Sequence, residues 1–87
     1  MNMEKSNDLK WVTDVKILDE YKLHLTFNDG KESMFDCLPL IEKYQIFAPL
    51  RDMEIFKCFN LDGWTINWAN GSIDIAPEYL YEKSIVL

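Results

Sequence analysis

The last third of the chain constrains the fold most, because it places a strand, a tight turn and a helix in close succession. Residues 64–68 alternate bulky and polar side chains, which is the pattern of a half-buried strand. Asn70-Gly71 is a strong turn signal, since both residue types tolerate positive φ angles. Residues 72–76 continue as an extended bridge, and Pro77 suits the first turn of a helix that runs to about residue 83. One small domain with both strands and helices is therefore predicted.

The first third of the chain predicts a hairpin. Residues 11–18 have the period-two pattern of a strand, in which Val15 and Ile17 share a face with Trp11 and Thr13. The next strand is clearer, because its apolar residues occupy every second position while its polar residues face water. These apolar residues are Tyr21, Leu23, Leu25 and Phe27.

The turn at residues 28–30 (Asn-Asp-Gly) leaves the register of the third strand open. A two-residue loop places Met34 opposite Leu25. A three-residue loop with a bulge instead places Phe35 opposite Leu23. The two registers bury different residues, because a shift of one position exchanges the faces of a strand.

The middle of the chain predicts two short helical segments and a second hairpin. Asp36 is suited to cap a helix over residues 37–44 that has Pro39 in its first turn, and Pro49 is suited to begin a shorter helical turn. Residues 57–61 then return to a strand pattern. A two-residue Asp62-Gly63 turn leaves Thr65 and Asn67 on one face and pairs the other residues as follows: Leu61 with Trp64, Phe59 with Ile66, and Lys57 with Trp68.

The length of 87 residues fits one domain. We expect residues 1–10 to form a flexible N-terminal segment, residues 11–84 a single α+β domain, and residues 85–87 a C-terminal tail. The domain is predicted to be a mainly antiparallel sheet of two hairpins packed with two or three short helices. The tail is apolar (Ile-Val-Leu) and, together with exposed sheet edges, offers a surface for a two-fold homodimer.

The chain is acidic, with a formal net charge of −6 from fifteen acidic and nine basic residues. The basic residues are scattered singly rather than clustered, so direct binding to nucleic acid is disfavoured. An acidic surface favours a basic protein partner, because opposite fields steer the encounter, although the same charge also serves solubility.

The two cysteines, Cys37 and Cys58, form no zinc-binding motif, and no metal or other cofactor is predicted. We expect both thiols to be free and partly buried. The N-terminal residues lack the apolar core of a signal peptide, and no apolar run approaches membrane-spanning length. These features predict a cytoplasmic protein that does not bind a membrane.

No residue pattern for catalysis emerges. His24, the only histidine, falls on the polar face of its strand, and a solvated histidine is the favoured interpretation. Asp74 and Glu78 are four residues apart, but Pro77 interrupts their spacing. Both carboxylates are better explained by their position near the positive end of the last helix. The chain is therefore not predicted to be an enzyme.

Residues of the last third are the candidate contacts for a partner. Trp68 and Tyr81 are best explained as core residues, with anchors on a partner surface as the alternative, since tryptophan and tyrosine dominate binding hot spots. Trp11, beside the N-terminal segment, is the aromatic residue most expected to be half-exposed. The candidate binding residues are Trp68, Asn70, Asp74 and Tyr81.

Several segments between residues 11 and 83 together form a recognisable pattern. Its generic parts are residues 27–30, 35–40 and 49–52 and Phe56. Its most specific residues are Trp68, Asn70, Gly71, Asp74, Pro77, Leu80 and Tyr81. This pattern resembles domain-of-unknown-function family 2442, a family of small bacterial domains. The resemblance implies an α+β domain with a mainly antiparallel sheet, and it implies no established activity.

The resemblance also guides the functional hypotheses. Some relatives sit beside a second small protein in arrangements that resemble toxin–antitoxin pairs, and some carry a helix-turn-helix after this domain. The present sequence ends at Leu87, so we expect no such motif here. The main hypothesis is a non-enzymatic protein-interaction module, antitoxin-like or regulatory. The first alternative is a transcription-linked regulatory domain that acts with a separate DNA-binding chain, and the second is a small ligand-binding domain.

Overall fold

Two antiparallel sheets form the framework of the computed structural model, which describes residues 9–87. The larger sheet contains, in order of pairing, β1 (Val12–Ile17), β2 (Lys22–Phe27), β3 (Glu32–Asp36) and β7 (Ile85–Val86). The smaller sheet contains, in order of pairing, β4 (Asn60–Leu61), β5 (Ile66–Trp68) and β6 (Ile73–Asp74). The predicted α+β class with antiparallel sheets is confirmed. Most of the predicted flexible segment, residues 1–8, lies outside the described residues.

Short helices connect the strands, and two of them were predicted. Helix α1 (Leu38–Lys43) has Pro39 in its first turn, and the Leu38 amide donates to Asp36 Oδ1 at 3.0 Å. The last helix, α3 (Pro77–Lys83), has the predicted bounds. Asp36 therefore satisfies a free amide of α1 as expected, although Cys37 occupies the cap position itself.

The segment between α1 and the second sheet is more helical than predicted. A 3₁₀ helix covers Gln45–Arg51, with Pro49 inside it rather than at its start. Helix α2 (Met53–Lys57) follows at once, where the sequence predicted no helix. Asp52 caps α2, because its carboxylate accepts a hydrogen bond from the Glu54 amide at 3.0 Å. The strand predicted over residues 57–61 is consequently reduced to β4.

The buried face of β1 differs from the prediction. Val12 and Val15 are buried, whereas Thr13 is exposed. The cause is a β-bulge, since the pairing with β2 shifts between Val12 and Asp14. The extra residue reverses the alternation of side chains, so that Val12 takes the place on the core face that was assigned to Thr13.

The hairpin of β2 and β3 adopts the second of the two predicted registers. Leu23 lies opposite Phe35, and Leu25 lies opposite Ser33. Gly30 supplies a φ of 88° in the turn, a conformation that is strained for residues with a Cβ atom. Phe35 is consequently buried and Met34 is only half-buried.

The predicted two-residue turn at Asp62-Gly63 is wrong. Leu61 pairs with Ile66 rather than with Trp64, so residues 62–65 form a four-residue loop. The Asp62 carboxylate organises this loop. Its Oδ1 accepts hydrogen bonds from the amides of Trp64 and Thr65, both at 2.9 Å, and its Oδ2 accepts one from the side chain of Asn67 at 3.2 Å.

The longer loop changes which of the neighbouring residues are buried and which are exposed. Thr65 and Asn67 are buried, and the Thr65 hydroxyl donates to the Ile75 carbonyl at 2.5 Å. Trp64 is 40% exposed and stacks on Trp11, with 5.9 Å between the ring centroids. Trp11 is partly exposed, as the sequence predicted.

The Asp62 carboxylate should make the stability of the folded protein depend on pH in acidic solution. Hydrogen bonds from the Thr65 and Trp64 amides, and then from Asn67, hold the pKa of Asp62 below its ordinary value of 3.8. A lowered folded-state pKa gives stability that is present above the unfolded value and is lost as pH falls through the folded one. We therefore expect Asp62→Asn to lower the melting temperature at pH 7, with a difference from wild type that shrinks below about pH 4. Thermal melts of both proteins across this range test it, and a difference independent of pH would contradict it.

One cluster of buried apolar residues joins both sheets and all three α-helices. The helices contribute Leu40 and Ile41 from α1, Phe56 from α2 and Leu80 from α3. The largest fully buried side chain is Trp68 of β5. The two sheets therefore share one core, which fixes the position of α3 relative to both.

Candidate functional site

The four candidate binding residues lie in different parts of the molecule. Trp68 has no exposed surface, and its Nε1 donates a hydrogen bond of 2.8 Å to the Phe56 carbonyl. Asn70 lies on an exposed turn and Asp74 at the end of β6, while Tyr81 is half-buried. Trp68 is thus a core residue, and the other three do not converge on one site.

Tyr81 connects α3 to the β2–β3 turn. Its hydroxyl donates to Asp29 Oδ2 at 2.6 Å, and its ring packs edge-on against Phe27 with 4.9 Å between centroids. Lys31 Nζ lies 4.2 Å from the ring centroid, in cation–π contact. The hydrogen bond from Tyr81, followed by that from the Lys31 amide, lowers the pKa of Asp29. These contacts give Tyr81 a structural role at the end of the hairpin.

The predicted Asn-Gly turn is present, and its backbone is unusual. Ala69, Asn70 and Gly71 have φ angles of 53°, 56° and 90° in succession. The left-handed conformation is accessible to asparagine and glycine but costs about 1–2 kcal/mol for a residue such as alanine. The surrounding strands β5 and β6 hold this turn in place, since they pair directly on either side of it.

His24 has a partner that the sequence did not reveal. Its Nε2 lies 3.0 Å from Glu32 Oε1, across β2 and β3. The side chain retains only 22% exposure, and Nδ1 is buried without a hydrogen-bond partner within residues 9–87. The solvated histidine predicted from sequence is therefore partly covered. The observed hairpin register, with Thr26 opposite Glu32, places this carboxylate diagonally across from the histidine.

The two cysteines differ in environment. Cys37 is buried, and desolvation raises the pKa of its thiol to about 12. Cys58 is exposed, contrary to the prediction that both thiols are partly buried. Both thiols are free, as predicted. A thiol with such a raised pKa is a poor nucleophile, so Cys37 acts as a small core residue.

An apolar groove of about 320 Å³ runs between the 3₁₀ helix and the start of α3. Within it lies Asp74, whereas the candidate residues Asn70 and Tyr81 line separate concavities elsewhere on the surface. We define the groove by its lining residues: Leu40, Tyr44, Ile46, Phe47, Asp74, Ile75, Ala76 and Tyr79.

Local backbone geometry presents the large groove residues to solvent. Tyr44 has an extended backbone, with φ of −114° and ψ of 127°, which ends α1 and begins the 3₁₀ helix. Tyr44 and Ile46 remain 45% and 58% exposed. Across the groove, Pro77 begins α3, and Tyr79 in its first turn is 39% exposed. Sequence reasoning missed these three residues. The signal was the run Tyr-Gln-Ile-Phe at residues 44–47, which no single buried helix face accommodates.

A notch of about 250 Å³ continues the groove toward the edge of the larger sheet. It shares Leu40 and Tyr79 with the groove and also contains Pro39, Lys83 and Ile85. The notch exists because β7 pairs only with Ser33 and Met34, which leaves the rest of the β3 edge uncovered.

Of the C-terminal residues, Ile85 lines the notch, and Val86 and Leu87 follow it along the edge of the larger sheet. Ile85 and Val86, predicted to belong to a tail, form strand β7 against β3. Their side chains and that of Leu87 are 58–68% exposed. Six of the ten exposed large hydrophobic residues within residues 9–87 lie along the groove, the notch and this edge: Tyr44, Ile46, Tyr79, Ile85, Val86 and Leu87. We refer to these six residues as the apolar band.

Comparisons with known proteins place the chain in a family without assigning it an activity. Within the described residues, no helix is long and apolar enough to cross a membrane. Neither a curated protein nor a solved structure matches the chain. A family described as protein of unknown function (DUF2442) matches residues 12–86, nearly the whole chain, and confirms the resemblance found in the sequence. The chain therefore belongs to the DUF2442 family of proteins of unknown function.

Proposed function

We propose that this protein is a non-enzymatic protein-interaction module, antitoxin-like or regulatory, that binds a basic partner protein through its apolar groove. The observation that supports this proposal most is the concentration of exposed Tyr44, Ile46 and Tyr79 around a single carboxylate, that of Asp74. Contiguous apolar surface of this kind marks interaction sites on soluble proteins.

The chemistry of the groove supports contact rather than catalysis. Its side chains offer one carboxylate and two phenol hydroxyls on an otherwise apolar lining. Tyrosine and isoleucine can anchor a partner by filling its pockets, and water exclusion around them strengthens a charge pair at Asp74. A lysine or arginine of the partner is the natural counterpart of that carboxylate.

Long-range charge supports the same choice of partner. The chain carries a net charge of −6, so its field attracts a basic protein and raises the rate of encounter. The resulting complex should weaken as salt is added, because salt screens the attraction between exposed charges.

A matched pair of isoleucine variants tests this function. Ile46 lies in the groove and is 58% exposed, whereas Ile55 lies on α2, outside the groove, and is 39% exposed. We expect a stoichiometric basic protein to copurify from the native host with wild type and with Ile55→Asp. Ile46→Asp should weaken that complex by about 30-fold or more in calorimetry with the purified partner, the loss typical of a hot-spot residue.

The outcomes also separate the alternative functions. Equal retention of the partner by Ile46→Asp, or no partner for wild type under any growth condition, would contradict the proposal. If the copurifying protein itself binds DNA, the transcription-linked alternative is favoured. If a small molecule copurifies with wild type in place of a protein and is lost from Ile46→Asp, the ligand-binding alternative is favoured.

A further inference from the structure

We propose that strand β7 is a homodimer interface, in which two copies pair their β7 strands antiparallel about a two-fold axis at Val86. This pairing joins two four-stranded sheets into one sheet of eight strands. The inference goes beyond the proposed function, because it concerns the sheet edge and a second copy of the chain rather than the groove and a different protein.

The backbone at the β7 edge is available for pairing. The Leu87 amide donates to the Glu32 carbonyl at 3.0 Å, and Val86 lies opposite Ser33. In an antiparallel ladder, this pattern means that Val86 and Ser33 form a non-hydrogen-bonded pair. Its N–H and C=O therefore point away from β3, toward the open edge, where a further strand can bond to both.

The two edges of the larger sheet differ in the features that prevent a further strand from pairing. The β1 edge carries exposed Asp14 and Lys16 and a bulge at Thr13, and its Val12 amide already donates to the Trp64 carbonyl at 3.0 Å. Charges, bulges and covering segments are the devices that prevent a strand edge from pairing. The β7 edge has no charged side chain, proline or bulge, and no strand within residues 9–87 pairs with its outer side.

The sequence of β7 is complementary to itself. With the axis at Val86, the two Val86 residues face each other and exchange both backbone hydrogen bonds. Ile85 then faces Leu87 of the partner subunit, and Leu87 faces the partner subunit's Ile85. Every cross-strand pair is apolar, and the three side chains that are 58–68% exposed in one copy become covered in two. A strand from a different protein would pair apolar residues with Ile85, Val86 and Leu87 only by coincidence. A second copy of this chain does so by symmetry.

The size and charge of this interface set its strength. Stable dimers bury about 1,200–2,000 Å² in total, more than a pairing of three residues supplies. We therefore expect a weak dimer that forms only at high protein concentration. Because each copy carries a net charge of −6, added salt should strengthen the dimer by screening repulsion. This dependence is opposite to that expected for a basic partner at the groove.

A proline at position 86 tests the pairing. Val86→Pro removes the outward N–H but leaves the Leu87–Glu32 hydrogen bond intact, since the N–H of Val86 makes no bond to β3. Val86→Thr is the control, because it keeps the N–H and the β-branched shape. In sedimentation equilibrium, wild type and Val86→Thr should rise with concentration from 10.3 kDa toward twice that mass, whereas Val86→Pro should stay at 10.3 kDa. If Val86→Pro does not fold, Leu87→Lys serves instead, since that side chain is 68% exposed.

Cysteine crosslinking tests the register, in a Cys58→Ser background that removes the exposed native thiol. Directly paired residues have Cα atoms about 5.5 Å apart, within the range of a disulfide, so Val86→Cys should crosslink on oxidation. The two Ile85 positions would be roughly 8 Å apart, given the rise of a strand, and Ile85→Cys should crosslink poorly.

Each result has a definite consequence. Wild type that stays at 10.3 kDa up to millimolar concentration, or Val86→Pro that still dimerises, overturns the interface. Crosslinking of Ile85→Cys as efficient as that of Val86→Cys overturns the register at Val86. Neither result affects the proposal for the groove, because Ile46 lies outside β7.

Discussion

Replacing Trp68 with alanine is expected to lower the free energy of unfolding by about 3–5 kcal/mol, because the loss of a fully buried indole leaves a cavity. The Trp68 ring stacks on Phe56 with 5.8 Å between centroids, and its Nε1 bonds to the Phe56 carbonyl. Alanine removes the stacking and also leaves that carbonyl without its donor. Since a chain of this length is stabilised by roughly 4–13 kcal/mol in total, the variant should be close to unfolding.

Trp64→Ala is the matched control for this prediction. Trp64 precedes β5 in the same segment, but it is 40% exposed and contacts the partly exposed Trp11. We expect its replacement to cost clearly less than that of Trp68, because a side chain that is 40% exposed loses less buried area and leaves no closed cavity. Urea unfolding followed by far-UV circular dichroism measures both variants without relying on tryptophan fluorescence. Equal losses for the two variants would contradict the placement of Trp68 in the core.

Local sequence patterns were sufficient to predict some elements. The alternation of Leu23, Leu25 and Phe27 identified β2 and its buried face, because a half-buried strand requires that period. Pro77 identified the start of α3, since proline is favoured in the first turn of a helix. In both cases the determining interactions lie within the segment itself, and a single sequence contains them.

Elements that depend on contacts between segments were not predictable in the same way. The bulge at Thr13 arises from the pairing of β1 with β2, and the sequence of β1 alone does not predict it. The loop at Asp62 arises because a carboxylate competes with the turn for backbone amides. Asn67 is buried because β5 is the central strand of its sheet, covered on both faces.

The candidate site was predictable only in part for a related reason. Asp74 was proposed from the sequence and does line the groove, whereas Tyr44 and Ile46 were not proposed. The apolar band draws on three segments that are far apart in the chain, at residues 44–46, 79 and 85–87. Only the packing of α3 between them brings these segments together, and that packing is a property of the fold rather than of any one segment.

Three consecutive side chains of helix α3 lie in three different environments. Tyr79 faces the groove, Leu80 is fully buried in the core, and the Tyr81 hydroxyl bonds to Asp29. A helix of seven residues is too short to be stable alone, so its position depends on these contacts. Leu80 is the central one, and β7 begins almost directly after the helix ends.

Replacing Leu80 with alanine is therefore expected to affect both the stability of the protein and the positions of the groove and of β7. The free energy of unfolding should fall by about 2–5 kcal/mol, as for other buried leucines. Leu18→Ala, at a 38% exposed position, should change it by no more than about 0.5 kcal/mol. Amide hydrogen exchange should also accelerate more in α3 and β7 than in β2, because the helix anchors the strand that follows it.

The pattern of exchange decides between two interpretations of Leu80. If protection falls equally in β2 and in β7, Leu80 contributes only to global stability. If it falls first in β7, as expected, the anchoring of α3 controls the open edge of the larger sheet. The Ser33–Ser84 hydrogen bond of 2.7 Å, which joins β3 to the end of the helix, would then transmit the loss of Leu80 to the edge. One buried leucine would thus keep both the groove and the open sheet edge in place.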